Sequence, residues 1–355
     1  MSPARICAFE VLLAVEEGGY ASDLLLARAA PLEARDAALA HQLVFGVLRR
    51  RAQIDFLIAH FSGRRPASLD PEVRLALRLG LYQLRHLDRI PRHAAVAESV
   101  ELVKRARKRS AAGLVNAVLR KAEPGPIAWP DRATEWSMPA WLLERWERLY
   151  GLEAAAAAAR AALEEPETSL NPVTGSRQDI GAQTVVPLLE IQPGHTYLDL
   201  CAAPGNKTAQ AIAAGARAIA CDRNWKRLRA LADLNCPRVV LDGTLSLPFH
   251  ARFDRILVDA PCSGTGTLAR NPEIKWRLQP SKLESLHATQ VRLLASAREL
   301  LAPGGKLVYS TCSLEAEENE DVVREVIGNL PRDLWRRLPG RDAGDGFFAA
   351  VIPSE

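Results

Sequence analysis

The segment Leu198-Asp199-Leu200-Cys201-Ala202-Ala203-Pro204-Gly205-Asn206-Lys207-Thr208 decides the fold of the second half of this chain. An apolar strand pattern leads into it, a loop of small residues follows, and a helix is predicted over residues 208–214. The small side chains let a ligand approach the loop backbone closely. Because the loop lacks the G-x-G-x-x-G spacing, a dinucleotide is not its natural ligand.

From about residue 178 onwards, short apolar strands alternate with helical patterns. The predicted strands cover residues 197–201, 218–222, 238–242, 255–260, 305–312 and 347–352. This alternation predicts a doubly wound, mostly parallel α/β sheet. In such sheets ligands bind at the carboxyl ends of the strands, where the quoted loop lies.

The first 125 residues have a different pattern, with apolar residues at helical spacing and no strand signal. We predict an all-α domain of five to seven helices, with Asp36 as the N-cap of the second helical segment and Pro71 at the first position of the third. This part holds 20 Lys and Arg against 13 Asp and Glu, a net charge of +7, whereas the rest carries −3. A polyanionic partner and a merely solubilising helical surface both explain this excess.

The domain organisation follows from a break at Glu123-Pro124-Gly125-Pro126. We predict a helical domain over residues 1–125, a connector over 126–177 and the α/β domain over 178–355. The connector contains four tryptophans, which we interpret as core and interface anchors rather than base-stacking platforms. They are Trp129, Trp136, Trp141 and Trp146.

The overall composition is that of an ordinary globular protein, with 48% hydrophobic and 25% charged residues in 355. No stretch is long and apolar enough for a membrane span, and the N-terminus does not look like a signal peptide, so the cytoplasm is the default location. The six cysteines form no CxxC pair, so we expect neither a zinc site nor any other bound metal, and no disulfide framework.

Two acids extend the ligand hypothesis. Asp222 ends the second predicted strand, 23 residues after Asp199, where an acid normally hydrogen-bonds ribose hydroxyls. Asp242 ends the third predicted strand and could reach an adenine amino group. This set is typical of S-adenosylmethionine sites, although acids at such positions also serve as helix caps.

Two further strands end in cysteine motifs, Asp259-Ala260-Pro261-Cys262-Ser263-Gly264 and Ser310-Thr311-Cys312-Ser313. Cys7, Cys201, Cys221 and Cys236 are assigned mainly to buried packing, the commonest fate of a cysteine. Cys262 differs because it lies in a turn bracketed by proline and glycine, close to Asp259. Amide- and amino-methylating enzymes of this fold carry a prolyl-prolyl-aromatic sequence here, so a cysteine indicates methylation of carbon.

Carbon methylation of a pyrimidine requires a nucleophile, because carbon 5 of cytosine is unreactive until a thiolate adds to carbon 6. An acid near ring nitrogen 3 must absorb the developing charge, and Asp259 is the candidate. Two thiols fit a division of labour in which one attacks and the other helps to expel the product.

These motifs resemble the RNA cytosine-C5 methyltransferases of the RsmB type, also called Sun or Fmu, over nearly the whole chain. The N-terminal part is similar to the NusB-like RNA-binding domain that this subfamily fuses to its enzyme. The segments that carry the resemblance are residues 35–36, 44–49, 77–84, 90–96, 115–120, 137–142, 178–179 and 345–348, together with both cysteine motifs.

The resemblance implies a NusB-like helical bundle joined to a Rossmann-like methyltransferase domain. It implies that Cys312 is the nucleophile, that Cys262 assists product release and that Lys207 lies close to the target base. The positions that it assigns to S-adenosylmethionine are Cys201, Ala202, Ala203, Pro204, Gly205, Asn206, Lys207, Asp222, Asp242 and Asp259. It further implies small-subunit ribosomal RNA as the partner, with no DNA and no membrane, and we expect a monomer.

The chain departs from the family pattern in two places. The usual Pro-Gly-Gly-Lys has Asn206 at its third position, and we expect cofactor binding to survive because asparagine tolerates left-handed backbone better than most residues. The stretch between Asn171 and Gln178 is much shorter than in the family, where it should hold part of a small RNA-binding subdomain.

Three alternatives stay open at this point. The same chemistry could act on tRNA or another RNA. The protein could bind RNA only, with a degenerate second domain, but the presence of Cys262, Cys312 and Asp259 argues against this. A DNA cytosine methyltransferase would attack with the Pro-Cys cysteine and would need no Thr-Cys motif.

Overall fold

The computed structural model describes residues 1–122 and 125–354, which form two compact units. The first unit comprises Met1–Arg145, Ala162–Glu164 and Leu268–Trp276, and the second comprises Trp146–Ala161, Glu165–Thr267 and the chain from Arg277 onwards. The predicted boundaries at 125 and 177 remain predictions. Glu123 and Pro124 of the predicted break lie outside the described residues.

The first unit is helical. Its helices are α1 (Pro3–Glu16), α2 (Ala21–Ala29), α3 (Ala34–Arg49), α4 (Arg51–Ser62), α5 (Pro71–His86), α6 (Arg92–Arg105), α7 (Ala112–Lys121) and α8 (Arg132–Glu135), followed by most of α9 (Ala140–Tyr150). The seven helices that precede residue 122 match the predicted five to seven, and Pro71 opens α5 as predicted.

The prediction for Asp36 was wrong. Helix α3 begins at Ala34 with Glu33 at the N-cap position, and Asp36 lies in the first turn, where a negative charge still interacts favourably with the helix dipole. The core of this unit forms where the buried faces of α1, α3 and α5 meet. Gly46 is required there, because a Cβ atom at this position would lie 2.0 Å from Cζ of Tyr82.

The segment Leu268–Trp276 belongs to this helical unit although it follows the first cysteine motif in sequence. It ends in the short helix α14 (Ile274–Arg277). Nζ of Lys275 donates to the carbonyl of Arg49 at 2.7 Å, and Nε1 of Trp276 donates to that of Leu48 at 2.8 Å. The end of α3 is thereby capped by side chains from a remote part of the sequence.

The second unit is an α/β domain built on a seven-stranded sheet. Its strands are β1 (Thr196–Asp199), β2 (Arg217–Asp222), β3 (Arg238–Val240), β4 (Phe253–Asp259), β5 (Leu301–Thr311), β6 (Leu334–Arg337) and β7 (Phe347–Pro353). The sheet order is β3-β2-β1-β4-β5-β7-β6, with β1 to β5 parallel and β7 antiparallel to both β5 and β6. The predicted fold class is confirmed.

The six predicted strands are present with ends shifted by a few residues, and β6 was not predicted. β6 is a short strand at the sheet edge, and its residues Leu334-Trp335-Arg336-Arg337 are exposed or half-buried. An edge strand with charged side chains gives a weak apolar signal in sequence.

The helices that accompany the sheet are α10 (Leu152–Ala161), α11 (Ile180–Gln183), α12 (Asn206–Ala213), α13 (Trp225–Leu228), α15 (Pro280–Arg298) and α16 (Glu320–Ile327). Strand order reverses between β1 and β4, which are neighbours. This topological switch point is where ligands bind in open α/β sheets. Among the described residues, no helix has the length and apolar character that crossing a membrane requires.

Candidate active site

The loop between β1 and α12 forms the wall of a pocket at the switch point. The residue with left-handed backbone is Gly205, with φ of 108°. The expectation that Asn206 is tolerated because asparagine accepts left-handed backbone was therefore wrong. Asn206 instead begins α12, and its position in the helix requires no unusual backbone. Leu231 packs so close to Gly205 that a Cβ atom there would approach it within 2.5 Å.

The pocket is built from this loop and from the ends of β1 and β4. Its lining residues are Gln178, Ala182, Asp199, Cys201, Ala202, Ala203, Pro204, Asn206, Lys207 and Asp259. Two buried polar atoms here have no hydrogen-bond partner, Oδ1 of Asp199 and Nε2 of Gln178. An acceptor and a donor left without partners beside small side chains suit a polar ligand, because unsatisfied buried groups are costly.

Asp199 is the most strongly perturbed acid in this pocket. Its Oδ2 accepts hydrogen bonds from Oγ1 of Thr208 at 2.7 Å and from the hydroxyl of Tyr197 at 3.2 Å. Burial raises the pKa of Asp199 to about 6 despite these two donors. The carboxyl of Asp199 therefore changes its charge at a pH just below neutral.

Asp222 is buried at the end of β2, as the sequence suggests. Its carboxylate accepts from the backbone N–H of Ala203 at 3.3 Å and from that of Asn224 at 2.8 Å. It thus lies directly behind the loop. Asp242 is exposed, two residues beyond the end of β3, and accepts from the backbone N–H and the hydroxyl of Thr244. These bonds lower the pKa of Asp242.

Lys207 and Asp259 form an ion pair between the loop and the end of β4. The Nζ–Oδ2 distance is 2.6 Å, and Oγ of Ser310 donates to Oδ1 of Asp259 at 2.8 Å. Burial acts to lower the pKa of Lys207, but the attraction of Asp259 outweighs it and the net pKa lies above the usual value. The electrostatic interaction with Cys312 also raises the pKa of Lys207.

The two motif cysteines come together as neighbours. Sγ of Cys262 lies 3.4 Å from Sγ of Cys312, and both residues are half-buried. The hydrogen bond with Cys312, followed by burial, raises the pKa of the Cys262 thiol well above its usual range. Cys262 therefore remains a thiol that can donate a hydrogen bond to the sulfur of Cys312.

The other four cysteines differ in their surroundings. Cys7 and Cys221 are buried, and Cys236 is half-buried, in keeping with packing roles. Cys201 also contacts the core but lines the pocket. Burial raises the pKa of Cys201 well above its usual range, which makes it a poor nucleophile.

Sequence reasoning missed a buried polar cluster that joins the two cysteine loops. Oε1 of Glu318 accepts from the backbone N–H of Ser263 at 2.8 Å and from Nε2 of Gln290 at 3.1 Å. Its Oε2 accepts from the hydroxyls of Ser263 and Ser313. The Cys-Ser pair that both motifs share is the sequence signal for the two serines, but nothing in the local pattern identifies Glu318 as their common partner.

The connector tryptophans behave as anchors where the structure describes their packing. Trp146 is fully buried and donates from Nε1 to Oε1 of Glu315 at 2.9 Å. Trp129 packs edge-on against Phe56 with 5.7 Å between the ring centroids. The described residues contain no group of three or more His, Cys, Asp or Glu that could hold a metal ion.

The basic run of the helical unit, residues 104–109, is partly engaged with acids of the same unit. Lys104 pairs with Glu101 at 2.6 Å and Lys108 with Asp70 at 2.8 Å. Arg105 lies 3.8 Å from Glu10. Exposed pairs of this kind are weak and remain available to a polyanion.

Comparison with known proteins agrees with this geometry. Residues 186–334 match the family described as 16S rRNA methyltransferase RsmB/F, and residues 2–124 match the NusB family. Ribosomal RNA small subunit methyltransferase B of Thermus thermophilus is 38% identical over 394 residues, covering 98% of this chain and 97% of that protein. The chain belongs to the RsmB/F family. Ribosomal RNA small subunit methyltransferase B of Cronobacter sakazakii is 32% identical to this chain over 414 residues, with 95% of each chain covered.

Solved structures share the fold. The crystal structure of PH0851 has a TM-score of 0.79 and 22% identity, covering 99% of this chain and 98% of that one. A methyltransferase homolog protein from Pyrococcus horikoshii has a TM-score of 0.54 and 24% identity, covering 64% of this chain and all of that one. At these identities the likeness concerns the fold.

As an RsmB/F methyltransferase, the protein uses S-adenosylmethionine, and the pocket fits this cofactor. The loop offers small side chains with a buried acid directly behind it, and the rest of the pocket lining supplies two unpartnered polar atoms. When bound, the cofactor supplies an electrophilic methyl group carried on a sulfonium.

Proposed function

We propose that this RsmB/F methyltransferase methylates carbon 5 of a cytidine in 16S ribosomal RNA through a covalent cysteine adduct. The observation that carries the proposal is the 3.4 Å approach of the Cys262 and Cys312 sulfurs. The Lys207–Asp259 ion pair at the neighbouring strand end supports it. An enzyme that methylates nitrogen or oxygen needs no such thiol pair.

Cys312 is the nucleophile in this proposal. Its sulfur forms a bond to carbon 6 of the base, the carbon 5–carbon 6 electron pair shifts towards nitrogen 3, and nitrogen 3 takes up a proton. Carbon 5 becomes enamine-like and could attack the methyl group that a bound cofactor would supply, with the methyl–sulfur bond breaking and its electron pair staying on the cofactor sulfur. Loss of the carbon 5 proton then restores the double bond, nitrogen 3 loses its added proton, and the carbon–sulfur bond breaks.

The Lys207–Asp259 pair is placed to manage the proton at nitrogen 3. Ser310 and Lys207 each hold one oxygen of Asp259, so the carboxylate has a fixed orientation. Fixed dipoles aimed at a developing charge are effective because they need no reorganisation during the reaction. The proton that the Cys312 thiol gives up would balance the one that nitrogen 3 takes up, and the Asp259 carboxylate, paired with Lys207, would accept a hydrogen bond from the protonated nitrogen 3.

Cys262 assists release of the product. Its raised pKa keeps it protonated, so its thiol can donate a hydrogen bond to the sulfur of Cys312 as that sulfur leaves carbon 6. The reverse assignment, with Cys262 as the attacking thiolate, would require ionising a thiol whose pKa is raised well above its usual range.

The cofactor contacts are proposed for the loop from Cys201 to Lys207, with Asp222 binding the ribose hydroxyls. Asp199 joins this set because its unpartnered oxygen lies in the pocket wall. Asp242 is retained as a contact to adenine, although it is exposed and bonded to Thr244.

The substrate assignment rests on the family and on the names of the relatives, which act on small-subunit ribosomal RNA. The helical domain, with its excess of positive charge, is proposed to bind RNA rather than DNA. A monomer that works in the cytoplasm completes the proposal.

Methylation of defined RNAs tests this function. The purified protein is incubated with isotope-labelled S-adenosylmethionine and either 16S rRNA or tRNA from a strain that lacks the enzyme. We expect a single labelled 5-methylcytidine in 16S rRNA, identified by nucleoside mass spectrometry. Label on an exocyclic nitrogen, or label confined to tRNA, would contradict the proposal.

A further inference from the structure

Each cysteine of the thiol pair is followed in sequence by a serine, and one buried carboxylate binds both serines. Glu318 is fully buried, and its Oε2 accepts from the hydroxyls of Ser263 and Ser313. The same carboxylate accepts the backbone N–H of Ser263 at 2.8 Å through Oε1. The serines that follow Cys262 and Cys312 are therefore hydrogen-bonded to the same carboxylate.

Glu318 is itself held in place from several sides. The hydroxyl of Tyr309, on β5, donates to the carbonyl of Glu318 at 2.6 Å. Nε2 of Gln290 on α15 bridges Oε1 of Glu318 and the carbonyl of Pro261, at 3.1 and 2.9 Å. Next to it, Nδ2 of Asn319 donates to the carbonyl of Ser313 at 3.0 Å. Both cysteine loops are thus fixed to one buried frame.

We propose that Glu318 is the positioning residue that sets the separation of the Cys262 and Cys312 sulfurs. The inference rests on the two-cysteine reaction proposed above. Attack and release at a single base carbon require both sulfurs in register, and a misplacement of about 1 Å can reduce the rate by roughly 100-fold. Cys262 and Cys312 lie 50 residues apart in sequence, so the chain connectivity alone does not fix the distance between their sulfurs.

Glu318 acts through the loops rather than on the base. Four donors occupy its two oxygens, and the carboxylate is enclosed in the protein. Hydrogen bonds to a charged acceptor are stronger than neutral ones, which suits a carboxylate for this task. Glutamine keeps the shape and one acceptor oxygen, and the serine hydroxyls can rotate to accept from its amide.

The test compares Glu318→Ala with Glu318→Gln, using Glu325→Ala as a control at an exposed acid of α16. We expect Glu318→Ala to lower kcat by about 10- to 100-fold, with KM for RNA and cofactor Kd unchanged within about two-fold. Glu318→Gln should recover most of kcat, and Glu325→Ala should match the wild type. An unchanged kcat in Glu318→Ala would overturn the proposal.

A second readout measures thiol proximity without RNA. Phenylarsine oxide bridges two thiols that lie within a few Å, and Cys312→Ala protein gives the background from the other cysteines. We expect Glu318→Ala to lose most of the Cys312-dependent bridging and Glu318→Gln to retain it. Wild-type bridging in Glu318→Ala would also overturn the proposal. Because this assay needs no substrate, loss of bridging supports Glu318 even where RNA mapping refutes cytosine methylation.

Folding is checked by circular dichroism. Should Glu318→Ala fail to fold, Ser263→Ala and Ser313→Ala decide, since each removes one hydroxyl from the same carboxylate. Lowered kcat and slower bridging in either serine variant would support the proposal. Wild-type values in both would overturn it.

Discussion

The cofactor loop and the thiol pair lie at the same edge of one sheet but are organised in opposite ways. The loop from Cys201 to Lys207 is a local structure, in which a strand, a glycine with left-handed backbone and a helix follow directly in sequence. The thiol pair joins Cys262 to Cys312 across 50 residues and depends on Glu318 and its partners. The cofactor loop is therefore shaped mainly by its backbone, whereas the thiol pair is positioned by side-chain contacts.

This difference has consequences for substitution. Removing one side chain from the cofactor loop should weaken binding while leaving the backbone shape intact. Removing one member of the thiol pair should stop turnover, at attack or at release, and leave cofactor binding intact. The predictions below test this separation, from the largest expected effect to the smallest.

The largest effect is expected from Cys312→Ala, which removes the proposed nucleophile. Turnover should fall below detection because no adduct with carbon 6 can form, while cofactor Kd stays within about three-fold of the wild type. Methyl transfer and calorimetric cofactor binding are the measurements. Most activity surviving in this variant, with Cys262→Ala inactive, would reverse the roles of the two cysteines.

Asp222→Ala should affect binding and not chemistry. A lost hydrogen bond to a hydroxyl is worth roughly 1–3 kcal/mol, so cofactor Kd should rise about ten-fold or more. Asp242→Ala, at the exposed acid proposed to contact adenine, should give a smaller rise in cofactor Kd. RNA affinity should not change in either. Equal cofactor Kd in Asp222→Ala and the wild type would place the ribose elsewhere.

Cofactor affinity should depend on pH through Asp199. Its pKa of about 6 lies above the ordinary value, so the carboxyl is neutral below about pH 6 and charged above it. Because the cofactor carries positive charge, affinity should rise several-fold as pH increases through 6 and then level off. Asp199→Asn should remove this dependence. Titrations between pH 5 and 8 that are flat for both proteins would exclude Asp199.

The raised pKa of Asp199 also predicts how the stability of the cofactor-free protein changes with pH. A carboxyl whose folded pKa is raised favours the folded state at low pH, and this contribution disappears as pH rises from about 4 to about 6. Asp199→Asn should therefore unfold at a higher temperature than the wild type at neutral pH, with the difference shrinking in acid.

The smallest effect is expected at the basic run. Neutralising Arg107 and Arg109 should reduce the slope of log K for RNA against log salt by roughly 1–2 units, if both contact phosphate. Arg64→Gln with Arg65→Gln is the control at two exposed arginines of the same unit. Identical slopes in both double variants would identify residues 104–109 as solubilising surface.

How much could be predicted from sequence follows the same division. The two fold classes, the loop between β1 and α12 and the position of Asp222 at the end of β2 depend on local patterns, and these elements were predicted within a few residues. The Glu318 cluster, the approach of the two sulfurs and the packing of residues 268–276 in the helical unit depend on contacts remote in sequence. Local periodicity carries no information about such contacts, so only the structure reveals them.

The most direct test of the central claim uses Cys262→Ala with substrate RNA and cofactor. Attack by Cys312 remains possible in this variant, but release lacks its assisting thiol, so a covalent protein–RNA band should accumulate on a denaturing gel. After nuclease and protease digestion, mass spectrometry should place the nucleotide on the peptide that contains Cys312. Failure to form the band in Cys262→Ala, or a nucleotide on Cys262 of the wild-type protein, would contradict the assignment of Cys312 as the nucleophile.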